Sequence, residues 1–228
     1  VDLPREGAEG AAPLWYWPSQ DEPGPPTLQD AIMETIEIGR RSGARVVASH
    51  IKAKGAHYWG SSGSAIQLIQ RARDEGVRIF ADQYPYATSG SDGNTVLIPR
   101  WALTDPAGRP GSGAGSADEN RRPPDDVLRD NLADSETETM IRRDIAHEIR
   151  RRGGAERVMI MDYPDEDFIG KTLREVADLR GQSDMVQMAI DLQLEGDPDR
   201  RGGGRMRGFS MSEIDVEAYA AQPWVATA

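Results

Sequence analysis

Apolar positions recur with a helical period from Leu28, where Leu28, Ala31, Ile32 and Ile36 fall on one side. Thr27, with Asp30 three residues on, predicts the start of this helix, and Ser42-Gly43 its end. The β-branched run Arg45-Val46-Val47-Ala48-Ser49-His50 then reads as a buried strand. The unit repeats. A Gly-rich loop from Gly55 to Gly63 leads to a predicted helix from Ser64 to Asp74, with Ile66, Ile69 and Ala72 on one side. Gly76 ends it, and Val77-Arg78-Ile79-Phe80-Ala81 reads as a second strand. Helix, strand, loop, helix and strand recurring after about 32 residues predict parallel βα units. Parallel strands need cover on both faces, so a barrel or a doubly wound sheet is expected.

Farther along, the period weakens. Residues 104–124 are rich in Gly, Pro, Ser and Asp without an apolar repeat and read as a flexible insertion, while 1–26 form an irregular segment around Trp15-Tyr16-Trp17. Helical patterning resumes over Asp125–Arg152, followed by a third strand at Val158-Met159-Ile160-Met161. Lys171–Arg180, Asp184–Leu194 and Ser212–Ala221 read as helices, Asp199–Gly208 as an Arg/Gly loop, and Trp224–Ala228 as a fourth strand.

Composition narrows the options. The 228 residues suffice for most, but not all, of a barrel of about 250. A formal net charge of -11 disfavours nucleic acid and anionic membrane as partners. The absence of cysteine excludes disulfides, thiolate metal sites and a Cys nucleophile. No apolar run reaches membrane-spanning length and no signal peptide is visible, which favours the cytoplasm, with the periplasm the alternative because the natural N-terminus reads as absent. The start at Val1 and the strand-like close at Trp224–Ala228 suggest a chain cut at both ends.

Candidate chemistry centres on three histidines. His147 lies in a helical stretch among Arg142, Arg143, Glu148 and Arg150 and reads as a surface residue. His57 lies in a loop, either ordinary or in touch with a substrate. His50 follows the first strand, where parallel α/β enzymes place ligands and catalytic groups; it is a candidate metal ligand or a satisfied strand-end histidine. Lys52 puts a cation at the same mouth, and Asp82-Gln83-Tyr84-Pro85-Tyr86 ends the second strand with polar and phenolic groups on that rim.

Ser49-His50-Ile51-Lys52-Ala53, Trp59-Gly60, Ala72-Arg73-Asp74-Glu75-Gly76, Asp82-Gln83-Tyr84-Pro85-Tyr86 and Leu97-Ile98-Pro99-Arg100-Trp101 together resemble the N-acyl-D-amino-acid deacylases, the D-aminoacylases of the amidohydrolase superfamily. Gly170-Lys171-Thr172-Leu173, Phe209-Ser210-Met211-Ser212-Glu213 and Gln222-Pro223-Trp224-Val225 extend the likeness. The resemblance implies an α/β fold: a partial (β/α)8 TIM-type barrel truncated at both ends, with residues 1–228 an internal portion of one barrel domain. It implies zinc as cofactor, with His50 a ligand, and a small N-acyl amino acid as substrate, its carboxylate or oxyanion met by Lys52, Tyr84 and Ser89. It also implies elements that this sequence does not contain. A His-x-His motif belongs before Val1, a catalytic Asp just beyond Ala228, and a histidine where Pro18-Ser19-Gln20-Asp21-Glu22 stand. The chain by itself is therefore expected to be inactive. A degenerate, non-catalytic relative and a cyclic amidase of dihydroorotase or hydantoinase type remain the alternatives.

Overall fold

The computed structural model describes residues 28–89, 97–104 and 122–227. The expected cap Thr27, the irregular segment 1–26 and residues 105–121 of the expected insertion lie outside them. The chain forms two compact units, Val1–Thr88 with Phe209–Ala228, and Ser89–Gly208. An α/β architecture is observed.

In the first unit, α1 (Leu28–Ser42) buries Leu28, Ile32, Ile36 and Gly39 along one stripe. Gly39 is where α1 meets the sheet. A Cβ there would stand 3.0 Å from methyls of both Val46 and Val77, so any larger residue would push the helix outward. Strand β1 (Val46–Ala48) pairs in parallel with β2 (Ile79–Gln83), Val46 opposite Ile79 and Ala48 opposite Ala81. Helix α2 (Ser62–Asp74) connects them.

The third member of this sheet comes from the far end of the sequence. Strand β6 (Val225–Thr227) lies parallel to β2, Ala81 opposite Val225 and Gln83 opposite Thr227, giving the order β1-β2-β6. Helix α7 (Glu213–Ala220) packs on α2 and against β2 and β6. Leu28, Ile32, Ile51, Ile69, Ile79, Tyr219 and Trp224 join the core between helices and sheet. Gln83, buried in this strand, donates to the Val216 carbonyl at 3.0 Å and ties the end of β2 to α7.

A two-residue strand, β3 (Thr88–Ser89), lies where the chain leaves the first unit. On return, the Ser210 and Met211 N–H groups both donate to the Ala87 carbonyl, at 2.9 and 3.0 Å. Departure and return therefore meet at one peptide group.

The second unit contains α3 (Pro124–Ala133), α4 (Ser135–Arg151), β4 (Val158–Asp162), α5 (Leu173–Leu179), α6 (Met185–Glu195) and β5 (Arg205–Phe209). Its core gathers Leu128, Ile141, Ile145, Val158, Ile160, Leu173, Val176 and Leu192. The helical stretch 125–152 is divided into two helices, with the Asp134 carboxylate capping α4 by accepting the Thr137 N–H at 2.8 Å. One expectation is corrected here. The Asp199–Gly208 region is not all loop: Arg205–Phe209 pairs antiparallel with β4, Met206 opposite Ile160. The expected third strand at Val158 thus belongs to an antiparallel pair, and the second parallel partner of β2, beside β1, is β6.

His147, expected on the surface, is half-buried in α4. Burial pushes its pKa below the ordinary value of 6.5, with Arg151 and Arg150 adding to the fall and Glu148 and Asp144 opposing it. As pH drops, the unfolded chain protonates this imidazole before the folded chain does. The stability linked to His147 is therefore full above about pH 6.5 and declines as pH falls toward the lower folded value. Thermal melts from pH 7.5 to 5 are expected to show a steeper decline for the native sequence than for His147→Gln. Parallel declines in the two proteins would refute this.

Candidate functional site

The strand β1 ends at Ala48, and the chain turns through Ser49 and His50. His50 has φ 51, and among the described residues it is the single non-glycine with positive φ. Its N–H donates to the Asp82 carboxylate of β2 at 2.6 Å, and the next N–H, of Ile51, donates to the Asp82 carbonyl at 2.9 Å. The His50 residue is exposed, whereas Ile51 and Lys52 turn inward and are buried.

Lys52 is only 3% exposed, and its ammonium needs stabilising contacts at such burial. Its Nζ donates to the His50 carbonyl at 2.7 Å and stands 4.8 Å over the Tyr84 ring. A cation on a phenol face gains on the order of 1–2 kcal/mol when desolvated. The three sequence candidates His50, Lys52 and Tyr84 are thus brought together just past the C-terminal ends of two parallel strands. Ser89 lies in β3, and its side chain lies outside the described atoms.

The loop that carries Lys52 is tied down farther along. The Gly55 N–H and the Trp59 indole N–H both donate to the Ser210 carbonyl, at 2.8 and 3.3 Å. The Gly60 and Ser62 N–H groups donate to the two carboxylate oxygens of Asp215, at 2.8 and 3.1 Å. Asp215 has no exposure, and the Ser212 hydroxyl donates to it at 2.6 Å. One turn along α7, burial pushes the Tyr219 phenol well above its ordinary pKa, and the neighbouring Asp215 carboxylate pushes the same way. Chemically, the rim offers an exposed imidazole beside a buried, oriented ammonium, a combination suited to an anionic substrate group next to a ligand or proton-carrying residue.

No protein-family model matches the chain. Over 75 residues it is 39% identical to the N-acyl-D-glutamate deacylase of Alcaligenes xylosoxydans xylosoxydans. Over this stretch the chain is similar in sequence to that deacylase. This match takes in 33% of the chain and 14% of the deacylase, so it spans a small part of that relative's length. Among solved structures, the chain aligns with the N-acyl-D-glutamate deacylase of Bordetella bronchiseptica, complexed with zinc and a phosphonate inhibitor. It is 20% identical, with a TM-score of 0.48, covering 88% of this chain and 29% of that one. A D-aminoacylase whose structure defines a novel subset of amidohydrolases is 21% identical, with a TM-score of 0.46, covering 88% and 29%.

Zinc takes three or four protein ligands. Among the described residues of the chain, no three His, Cys, Asp or Glu side chains converge as a metal site. Asp82 has one carboxylate oxygen engaged by the His50 N–H. The described residues therefore do not constitute a zinc site, and His50 would be at most one ligand of it.

Two acids were not singled out by the sequence. Asp82 stands out only as part of a motif, and Asp215 only as a residue of the predicted helix Ser212–Ala221. The signal for Asp82 is a carboxylate inside a strand of otherwise apolar and amide side chains, Ile79-Phe80-Ala81-Asp82-Gln83. For Asp215, the sequence shows only an acid in the first turn of a helix. The Ser212 hydroxyl does accept the Asp215 N–H at 3.3 Å, but the carboxylate serves Gly60 and Ser62 as well.

Proposed function

We propose that this polypeptide is part of a metal-dependent hydrolase of linear amide C–N bonds, an N-acyl-D-amino-acid deacylase built on a (β/α)8 barrel. In this reading His50 is one zinc ligand, Lys52 and Tyr84 bind the substrate carboxylate, and Ser89 adds a hydrogen bond. The observation that carries it is the Lys52 ammonium, 3% exposed and set over the Tyr84 ring beside His50. A buried cation at a strand-end rim suits an open-chain substrate with a carboxylate better than a hydantoin-like ring. The sequence match to an N-acyl-D-glutamate deacylase supports the same substrate class. Because that match spans 14% of the relative, catalysis is proposed for a longer polypeptide and the 228 residues alone are proposed to be inactive.

The test begins with the flanking coding sequence, where a His-x-His motif upstream and an Asp-Gly shortly downstream are expected. The protein encoded with those flanks should bind zinc stoichiometrically and hydrolyse N-acetyl-D-glutamate in preference to its L-enantiomer and to hydantoins. Lys52→Ala should raise KM by about 10- to 100-fold, the worth of a charge-assisted hydrogen bond. Preferential hydantoin cleavage, or an unchanged KM in Lys52→Ala, would refute the assignment. The sequence Pro18-Ser19-Gln20-Asp21-Glu22, in place of an expected histidine, favours a second reading as a non-catalytic relative. Zinc-free protein without deacylase activity is the outcome that reading requires.

A further inference from the structure

We propose that Asp82 is a positioning residue that holds His50 in its left-handed backbone conformation and, through it, fixes where the imidazole and the Lys52 ammonium stand. Its functional meaning rests on the proposed roles of His50 and Lys52. L-residues seldom occupy φ near +51 without support from their surroundings. Here both peptide groups flanking the His50 Cα are held. On one side the N–H is bonded to the Asp82 carboxylate at 2.6 Å, a short charge-assisted contact. On the other, the His50 carbonyl accepts the Lys52 ammonium at 2.7 Å. Asp82 adds its own carbonyl as acceptor for the Ile51 N–H, so one strand residue fixes two successive N–H groups of the turn.

The order of dependence follows from the geometry. Asp82 sits in β2, whose register against both β1 and β6 is set by backbone pairing, so its carboxylate starts from a rigid base. It fixes the His50 N–H; the resulting turn points the His50 carbonyl at the Lys52 Nζ; that bond places the ammonium 4.8 Å over Tyr84. Loss of the carboxylate should let residue 50 relax toward ordinary φ, swing the imidazole, and release the ammonium. Asn at position 82 keeps an oxygen acceptor for the N–H and should preserve the arrangement. Glycine at position 50 has no preference against positive φ and should not need the clamp.

The test uses this chain with Asp82→Ala, Asp82→Asn, His50→Gly and the Asp82→Ala/His50→Gly double variant. Imidazole and lysine CεH2 resonances are followed by NMR, with His147 of the other unit as internal reference. Asp82→Ala should shift the His50 and Lys52 signals, and Asp82→Asn should leave them in place. The loss in folding equilibrium constant caused by Asp82→Ala should be about tenfold smaller in the His50→Gly background, the size of the left-handed backbone penalty that glycine does not bear. Unmoved His50 and Lys52 signals in Asp82→Ala, or an equal loss in both backgrounds, would overturn the clamp. Should Asp82→Ala not fold, a folded double variant supports the clamp and an unfolded one overturns it. These readings need neither zinc nor turnover, so the clamp can stand in a protein that cleaves no amide. Equally, full deacylase activity with an additive double variant would remove the clamp and leave the function.

Discussion

Asp215→Ala is expected to destabilise the first unit by about 3–5 kcal/mol, a large share of the roughly 5–15 kcal/mol that holds a domain folded. The reason lies at the start of α2. Its N-cap residue, Ser61, makes no side-chain cap bond. The carboxylate of Asp215, far away in sequence, does that work by accepting the Gly60 and Ser62 N–H groups at 2.8 and 3.1 Å. It also places a negative charge at the positive end of the helix dipole. Alanine would leave these two donors and the Ser212 hydroxyl facing a space that water does not reach, because Asp215 has no exposure. Asp215→Asn keeps one oxygen and turns an NH2 toward a donor, so about half the loss is expected. Urea unfolding followed by circular dichroism measures both variants. A loss below about 1 kcal/mol for alanine would mean that the surroundings re-satisfy the donors. Hydrogen exchange should speed up first at Gly60 and Ser62, loosening the far end of the loop that carries Lys52.

Gly203→Ala should be nearly as damaging, but to the second unit. Gly203 has φ 71, and a Cβ built there would overlap the Leu192 carbonyl oxygen and crowd its carbon at 2.8 Å. Both are backbone atoms of α6, so no rotamer change relieves the clash. The same carbonyl accepts the Tyr163 hydroxyl at 3.1 Å, and that phenol, pushed by burial up to about 12, stays a donor at neutral pH. Gly203 also closes its loop at both ends, donating to the Arg200 carbonyl and accepting from the Asp197 N–H. A cost above about 3 kcal/mol is expected, combining backbone strain with forced displacement. Gly181→Ala is the matched control: its φ is 65 but nothing lies within 4 Å of the added carbon, so about 1–2 kcal/mol is expected. Calorimetry that ranks the two variants equally would show that the loop around Gly203 gives way at little cost.

Some of this was legible in the sequence because its cause is local. The stripe of Leu28, Ile32 and Ile36 announces α1, and short β-branched runs announce β1 and β2. His50, Lys52 and Tyr84 stood out because they directly follow those strands. What stayed hidden depends on distant partners or on atypical residues. Strand β5 alternates exposed Arg205 and Arg207 with buried Met206 and Gly208, and neither Arg nor Gly advertises a strand; only pairing with β4 reveals it. The break between α3 and α4 hangs on a single cap, Asp134, within otherwise continuous helical patterning. Asp82 and Asp215 act across 32 and 155 residues, on the backbone of His50 and of Gly60, and no periodicity records such a bond.

The carbonyl of Ala87, which receives the N–H groups of both Ser210 and Met211, bears on how such chains can diverge. Everything from Ser89 to Gly208 is looped out from a point where the polypeptide has already come back to itself. Residues can be gained or lost there, or the whole excursion exchanged for a tight turn, without stretching the strand ends that carry Lys52 and Tyr84. Related sequences are therefore expected to differ in length between these two positions while agreeing on either side.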